Sequence, residues 1–197
     1  MGAPEWAAMD LRAWITSEHD AVLDRFEQSV VSVVPLERWR DPSGTGGSSI
    51  AWLAFHTAYH EDVAVNAVLA GSRPVLDEWR TGLGVDDLPA DVGLGEAEQP
   101  ALTEQVRIDR LVPYLRAVHD RTAEWLTTVE LAALEDVPAS GEGLDGAGID
   151  EGSVPWLYRM WDGKPGAWFV QWEAIGHRVN HVGEMVSVRN RLGLSPF

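Results

Sequence analysis

Two histidines near the C-terminal end of the sequence have the spacing of a metal-binding pair. His177 and His181 lie four residues apart in the segment WEAIGHRVNHVGEMVSVRNRLG. On an α-helix, residues at this spacing project from the same face, about 6 Å apart along the axis, so both imidazoles can reach one metal ion. Polar rings that face a core need a bonding partner, and a metal would supply one. The apolar stripe that carries the pair comprises Val170, Ala174, His177, His181, Val188 and Leu192.

A third histidine is available on another predicted helix. His56 lies in AWLAFHTAYHEDVAVNAVLAG and follows Trp52 and Leu53 on a strongly apolar face. If the two helices are neighbours, His56 completes a three-histidine site with His177 and His181. Three neutral imidazoles suit zinc, nickel, iron or copper, and an open fourth position allows catalysis. The alternative is that each histidine forms ordinary hydrogen bonds inside the core.

Two further residues beside these histidines are candidates for a role in the site. His60 follows His56 by four residues and is a supporting group, an alternative ligand or an exposed residue. Glu184, three residues after His181, is the candidate catalytic residue, because it could orient that ring or act as a base. Its alternative is an interhelical hydrogen bond. No histidine has Glu or Asp three residues before it, which argues against a carboxylate-bridged di-iron centre.

Four other polar residues are expected to lie outside the chemistry. His19 and His119 have acidic neighbours on their helices, so we expect both at the solvated surface. Glu61 and Asp62 are expected in solvent or paired with arginine. The sequence also lacks a Gly-rich phosphate loop, a G-x-S-x-G elbow and an H-E-x-x-H motif.

Composition limits the classes of partner. The 197 residues include 31 acidic and 15 basic side chains, a net charge of −16, which repels phosphate backbones and anionic lipid. We therefore expect no nucleic acid and no membrane as partner. There is no cysteine, so no protein thiol can act as nucleophile or ligand. Without a signal peptide or a membrane-spanning run, the expected location is cytoplasmic.

Four long amphipathic helices are predicted to position these residues. They cover about 4–34, 50–70, 103–129 and 167–192, with a short helical piece at 154–161. Residues 72–100 are expected to form a partly ordered connection, and residues 137–153 a flexible loop. No strand pattern is present. We therefore predict an all-α fold, an antiparallel four-helix bundle with long connecting loops, with residues 1–197 as a single domain.

The segments AWLAFHTAYHED and HRVNHVGEMVSVRNRLGLSP resemble the DinB/YfiT-like family of metal-binding four-helix bundles. The resemblance implies that His56 is the ligand from the second helix and that His177 and His181 are the H-x-x-x-H pair from the last. HVGEM is similar to the family's H-x-G-Q segment, with Glu184 where glutamine is common. Asn180 stands where many members carry another histidine. The first and third helices fit only in length and amphipathicity.

The resemblance also implies a chemistry. Characterised members include S-transferases and isomerases that use mycothiol, bacillithiol or glutathione. The implied cofactor is a divalent metal, zinc or nickel, which would bind a thiol cosubstrate and stabilise the thiolate that attacks an electrophile. Mycothiol is the expected thiol, because the lysine-poor, Ala/Gly/Trp/Arg-rich composition points to a high-GC actinobacterial source. A homodimer is plausible by the same resemblance. The alternative function is a non-catalytic bundle that binds a metal or a small ligand.

Overall fold

The computed structural model describes residues 10–42, 47–96 and 99–196, which are helical and contain no β-strand. Three stretches in these ranges are π-helical: Glu27–Val31, Asp62–Leu69 and Val170–Gly176. None of the helices in these ranges is long and apolar enough to cross a membrane. The helices are α1 (Leu11–Phe26), α2 (Ile50–Glu61), α3 (Leu76–Leu83), α4 (Gln99–Gln105), α5 (Ile108–Thr128), α6 (Ser140–Gly146), α7 (Pro155–Trp161), α8 (Gly166–Phe169) and α9 (His177–Arg191).

Helices α1, α2, α5 and α9 form a four-helix bundle. Both α1 and α2 pack against α5 and against α9, so each helix has two neighbours. The first two helices begin at side-chain caps: Asp10 accepts a hydrogen bond from the Ala13 amide, and Ser49 accepts one from the Trp52 amide. The predicted all-α four-helix bundle is confirmed, and residues 4–9 of its predicted first helix lie outside the described ranges.

The four helices run up, down, down and up. Helices α1 and α5 are antiparallel, because Arg12 donates to the Val129 carbonyl whereas Glu27, farther along α1, pairs with Arg116. Helices α2 and α9 form the second antiparallel pair through the histidines described below. Helices α1 and α9 are parallel, since residues near the two starts pack together and Arg189 donates to the Ser29 carbonyl near the two ends. The long segment between α2 and α5 provides the crossover that this order requires.

The third predicted helix is divided in the structure. It was expected from residue 103 onward, but α4 ends at Gln105 and α5 begins at Ile108. Between them Arg107 is extended, and its backbone N–H donates to the Leu83 carbonyl at 2.8 Å instead of continuing a helical ladder. This bond joins the break to the end of α3.

Both segments that were expected to be loops contain helices, α3 and α6. The segment 72–100, apart from residues 97–98, is held in place by buried apolar side chains: Val75, Leu76, Leu83, Val85, Val92 and Leu94. On α6, a Cβ at Gly143 would lie 2.8 Å from Val68 Cγ2, so glycine allows the close approach of α6 to the π-helical stretch Asp62–Leu69. The prediction of a flexible loop at 137–153 was wrong, because its small residues permit close packing.

Candidate metal centre

Three histidine side chains converge between α2 and α9. His177 Nε2 lies 3.2 Å from His56 Nε2 and 3.0 Å from His181 Nε2. Two nitrogen ligands on a tetrahedral zinc, with bonds of about 2.0–2.1 Å, lie about 3.3 Å apart. The nitrogen separations therefore match those of ligands that share one ion. The three residues predicted as ligands are brought together, and we call them the histidine trio.

Two of the three outer ring nitrogens of the trio donate hydrogen bonds to oxygen atoms. His56 Nδ1 donates to the Gly93 carbonyl at 2.6 Å, and His181 Nδ1 donates to Glu184 Oε2 at 2.9 Å. A neutral imidazole that donates from Nδ1 has an unprotonated Nε2, whose lone pair is free to bind a cation. The lone pairs of His56 and His181 therefore both point toward His177 Nε2. A cation between the three nitrogens satisfies all of them, as the donor set of a metal site does.

Burial keeps two of these imidazoles neutral. Desolvation, with His60 and the other trio members as further causes, lowers the pKa of His56 far below its usual value. Burial and then the neighbouring His60 and His181 lower the pKa of His177 to about 2. At neutral pH both rings therefore keep a lone pair for a metal. The side chain of His181 is 21 % exposed, so the trio is most accessible to solvent at that residue.

Glu184 lies beside the trio at the surface. It accepts the hydrogen bond from His181 Nδ1, and its side chain is 41 % exposed. This contact lies within the helix rather than between helices, so the predicted interhelical bond is not the one observed. The contact orients His181, which was one of the two roles expected for this carboxylate.

Sequence reasoning missed Glu173, a fully buried carboxylate behind the trio. Its Oε1 accepts a hydrogen bond from Trp161 Nε1 at 2.7 Å. Its Oε2 lies 3.3 Å from His60 Nδ1 and 3.7 Å from His177 Nδ1. The signal was present in the sequence, because Glu173, His177 and His181 follow one another at four-residue spacing. A carboxylate four residues before a histidine shares its helix face as well as one three residues before it does.

His60 is buried against the trio, so its exposed alternative was wrong. The His60 ring centroid lies 4.5 Å from that of His56 and 4.7 Å from that of His177. Its Nε2 donates to the Leu94 carbonyl at 3.0 Å, and its Nδ1 faces Glu173. Together with Glu173 and His177, it forms a second group of atoms close enough to hold a metal.

The segment between α3 and α4 supplies carbonyl oxygens to two of these histidines. Gly93 and Leu94 present theirs to His56 and His60 respectively. Gly93 has φ +87°, and a Cβ there would lie 2.6 Å from the Phe55 ring, so only glycine fits without movement. A segment expected to be only partly ordered therefore takes part in building the site. Backbone acceptors leave no signal in the side-chain pattern, although the glycine does.

Tryptophan side chains surround the histidines. Trp52 stacks on His56 with ring centroids 4.4 Å apart, and the Trp172 centroid lies 6.1 Å from that of His177. Trp156 on α7 lies 6.2 Å from His60 and is 38 % exposed. The exposed ring offers an apolar surface to a molecule that approaches the site.

His19 and His119, expected at the surface, are buried and stacked face to face. Their centroids are 4.1 Å apart, with 4° between the planes. His19 Nε2 donates to Glu61 Oε1 at 2.7 Å, and Arg178 pairs with Glu61 Oε2 at 2.8 Å. With Asp20, the two histidines could form another metal group by distance. However, the lone pairs of parallel stacked rings run side by side rather than toward one point, so we assign this cluster to the core.

Asp62 is buried and belongs to the scaffold. Its two carboxylate oxygens accept hydrogen bonds from the Val75 and Leu76 amides, both at 2.8 Å, and Asn66 Nδ2 adds another at 2.8 Å. The expectation of a solvated or arginine-paired Asp62 was therefore wrong, whereas Glu61 is paired with arginine. Asp62, directly after α2, therefore connects the end of that helix to the start of α3.

Fold and site together define a class: an all-helical bundle whose second and last long helices carry a converging histidine trio. The family model described as DinB superfamily matches residues 18–185. The chain therefore belongs to the DinB superfamily, as the sequence resemblance implied. Its candidate metal site is the histidine trio, whose ligand atoms lie close enough together to hold one ion.

The chain is also similar to a solved structure, that of a conserved protein of a locus from Enterococcus faecalis. The two share 24% sequence identity and superpose with a TM-score of 0.68, over 94% of this chain and 99% of the other. At that identity the likeness shows the fold alone. No curated protein matches the chain.

Proposed function

We propose that this protein is a metal-dependent enzyme that activates a low-molecular-weight thiol for S-transfer or isomerisation. The proposal depends on one observation, the convergence of the three Nε2 atoms of the histidine trio at separations that suit a shared ion. Neutral imidazoles suit zinc, nickel, iron or copper, and three of them leave a further coordination position for a ligand. Zinc or nickel is the proposed metal, as the family resemblance implied.

In the proposed mechanism, His56, His177 and His181 would hold the ion, and the Gly93 carbonyl fixes the orientation of the His56 ring. A metal bound there would supply Lewis acidity that lowers the pKa of a thiol. Glu184 orients His181 through Nδ1, and its exposed carboxylate is the proposed acceptor of the thiol proton. Because the chain has no cysteine, the thiol is a cosubstrate, with mycothiol as the proposed identity. The electrophile would pack against the exposed ring of Trp156.

A second candidate is a non-catalytic bundle that binds a metal or a small ligand. The burial of the trio favours it, since His56 is only 7% exposed and a substrate has limited access. The two candidates differ in turnover, not in metal content. A cytoplasmic location and a homodimer belong to both proposals.

Metal analysis of protein purified without an affinity tag tests the site. We expect one divalent ion per chain in the wild type and its loss in His181→Ala, which removes one ligand. His119→Gln is the matched control, because it removes a buried histidine outside the trio and should retain the ion. Full metal occupancy in His181→Ala would count against the trio as the metal site.

A thermal-shift screen with low-molecular-weight thiols then separates the two candidates. An activated thiol should raise Tm only in the metal-loaded wild type, because a ligand that binds the native state stabilises it by mass action. Turnover of that thiol with a panel of electrophiles supports the enzyme. Metal binding without any thiol effect supports the binding bundle.

A further inference from the structure

We infer that Glu173 is a positioning residue of the candidate metal site, which holds His177 from behind and contributes a buried negative charge. This inference rests on the metal binding in the proposed function. Its starting point is a difference within the trio. His56 and His181 each donate from Nδ1 to an oxygen at hydrogen-bond distance, whereas the buried His177 Nδ1 has no hydrogen-bond partner among the described residues.

Glu173 is placed to complete that pattern. Its Oε2 lies 3.7 Å from His177 Nδ1, and closing the gap to a hydrogen bond of about 2.8 Å needs a shift of about 1 Å. The bond would place the proton of His177 on Nδ1 and leave Nε2 free for the ion, as in the other two rings. Histidines that bind metals generally donate their other N–H to such an oxygen, which fixes both the tautomer and the ring orientation.

The other contacts of Glu173 hold the carboxylate in place for this role. Trp161 Nε1 donates to Oε1, and His60 Nδ1 lies 3.3 Å from Oε2. Because the opposite nitrogen of His60 donates to the Leu94 carbonyl, the contact with Oε2 is a hydrogen bond when a second proton lies between His60 Nδ1 and Oε2. Glu173 is fully buried, so its charge is unfavourable unless positive charge lies nearby. A divalent ion held by His177 Nε2 would be separated from Glu173 by the imidazole ring, and the ion and the carboxylate would stabilise each other.

The local helix geometry supports the assignment. Glu173 lies in the π-helical stretch Val170–Gly176, which ends directly before His177. Such stretches are rare and often occur at functional sites. Glu173 and His177 are four residues apart, so they lie on the same interior face of this continuous helical segment.

The test compares two carboxylates that differ in burial. Glu173→Gln keeps the size of the side chain and an acceptor for Trp161 but removes the charge, and Glu184→Gln makes the same change at the partly exposed partner of His181. We expect Glu173→Gln to raise the Kd for Zn²⁺, measured by chelator competition, about 10- to 100-fold. Glu184→Gln should have a smaller effect, because solvent screens its charge. The absorption bands of bound Co²⁺ should shift in Glu173→Gln.

Several results would overturn the inference. An unchanged Kd and Co²⁺ spectrum in Glu173→Gln would do so, as would an equal loss of Tm in the metal-free and metal-loaded forms, which indicates a role in the fold alone. Two bound metal equivalents in the wild type, with the second lost in Glu173→Gln, would make Glu173 a ligand. A wild type that binds no metal would instead remove the proposed function, and this inference with it.

If Glu173→Gln does not fold, the protonation of the His177 ring in the wild type tests the same inference. In the Zn²⁺-loaded protein, ¹⁵N NMR should find the His177 proton on Nδ1 and exchanging slowly with water, because it is buried and bonded to Glu173. An unprotonated His177 Nδ1, or one whose proton exchanges as fast as that of the more exposed His181, would contradict the inference.

Discussion

Two buried tryptophans beside the histidines differ in what their indole N–H contacts. Trp161 Nε1 donates to Glu173 Oε1 at 2.7 Å, and both side chains are fully buried. Trp52 stacks on His56, and its buried Nε1 has no hydrogen-bond partner among the described residues. One substitution made at both positions therefore separates the hydrogen bond from the packing of the ring.

We expect Trp161→Phe to lower the free energy of unfolding by about 1–3 kcal/mol more than Trp52→Phe. Both changes remove similar apolar area, but only the first leaves a buried carboxylate oxygen without its donor. Urea denaturation of the metal-free protein measures the difference, with comparable m values as the check that both unfold in the same way. Equal losses would show that the hydrogen bond to Glu173 adds no net stability.

The proximity of the three trio residues could be predicted, whereas their role as metal ligands stays a prediction. The trio was predicted from the i, i+4 pair and from the resemblance of both helices to a family. The surface position predicted for His19 from its acidic neighbours was wrong, because its position on the helix places it on the buried face. Together with Ile15 and Val22 it forms the buried stripe of α1, at the spacing that indicates a core face. His119 likewise falls four residues after Leu115 on the buried face of α5.

At the scale of elements, the segment that follows α3 matters as much as the helices. Its apolar anchors bury it, and its carbonyls at Gly93 and Leu94 set the orientation of two histidines. The segment therefore couples the fold of an irregular region to the geometry of the candidate metal centre. A change in the backbone of this segment should alter the orientation of His56, and so weaken metal binding, although no ligand residue is substituted.

Gly93→Ala is expected to weaken both the fold and the metal site. The new Cβ would lie 2.6 Å from the Phe55 ring at φ +87°, so the backbone must move and take its carbonyl away from His56. Gly71→Ala is the control, because its φ is +61° and a Cβ there meets no atom within 4 Å. The control should lose only the strain of the left-handed conformation, about 1–2 kcal/mol, and keep its Zn²⁺ affinity. Zn²⁺ affinities that fall equally in both variants would contradict this coupling.

Elements with a sustained apolar period could be predicted from the sequence. The last long helix was expected over about 167–192 and is observed from Gly166 to Arg191, because its stripe repeats without interruption. Helix α3 was missed because its N-terminal amides are capped by Asp62, 13 and 14 residues earlier in the chain. A cap supplied by a residue distant in the chain leaves no local sequence signal. The same holds for the bond from the Arg107 N–H to the Leu83 carbonyl, which interrupts the helical hydrogen bonds between α4 and α5.

For the whole molecule, charge acts in opposite directions at the surface and in the core. The net charge of −16 makes the folded chain repel itself near neutral pH. In the core, Glu61 is 1% exposed and bonded to Arg178 and His19. Burial opposes ionisation of Glu61, but Arg178 and His19 outweigh it and lower the pKa from 4.5 to about 2.

These two effects predict a stability maximum on the acid side of neutrality. Surface carboxylates ordinarily gain protons near pH 4, so the repulsion begins to weaken only as pH approaches about 5. Asp62 acts in the same direction: burial raises its pKa from 3.8 to about 6, so its protonation favours the folded state as pH falls through that range. Added NaCl should raise Tm at pH 8 for the same electrostatic reason, and less at pH 5.

Below about pH 4.5, stability should fall because of Glu61. Its folded pKa is depressed, so its contribution is complete above the unfolded value of 4.5 and is lost as pH falls toward 2. A shift of this size corresponds to about 3 kcal/mol. Glu61→Gln should flatten this acid limb and, because Arg178 is left buried without its partner, also lower stability at pH 7. Glu124→Gln, an exposed carboxylate on α5, should keep the wild-type limb. If stability fell as steeply below pH 4.5 in Glu61→Gln as in the wild type, other carboxylates would be responsible for acid unfolding. The buried ion pair of Glu61 would then not be its cause.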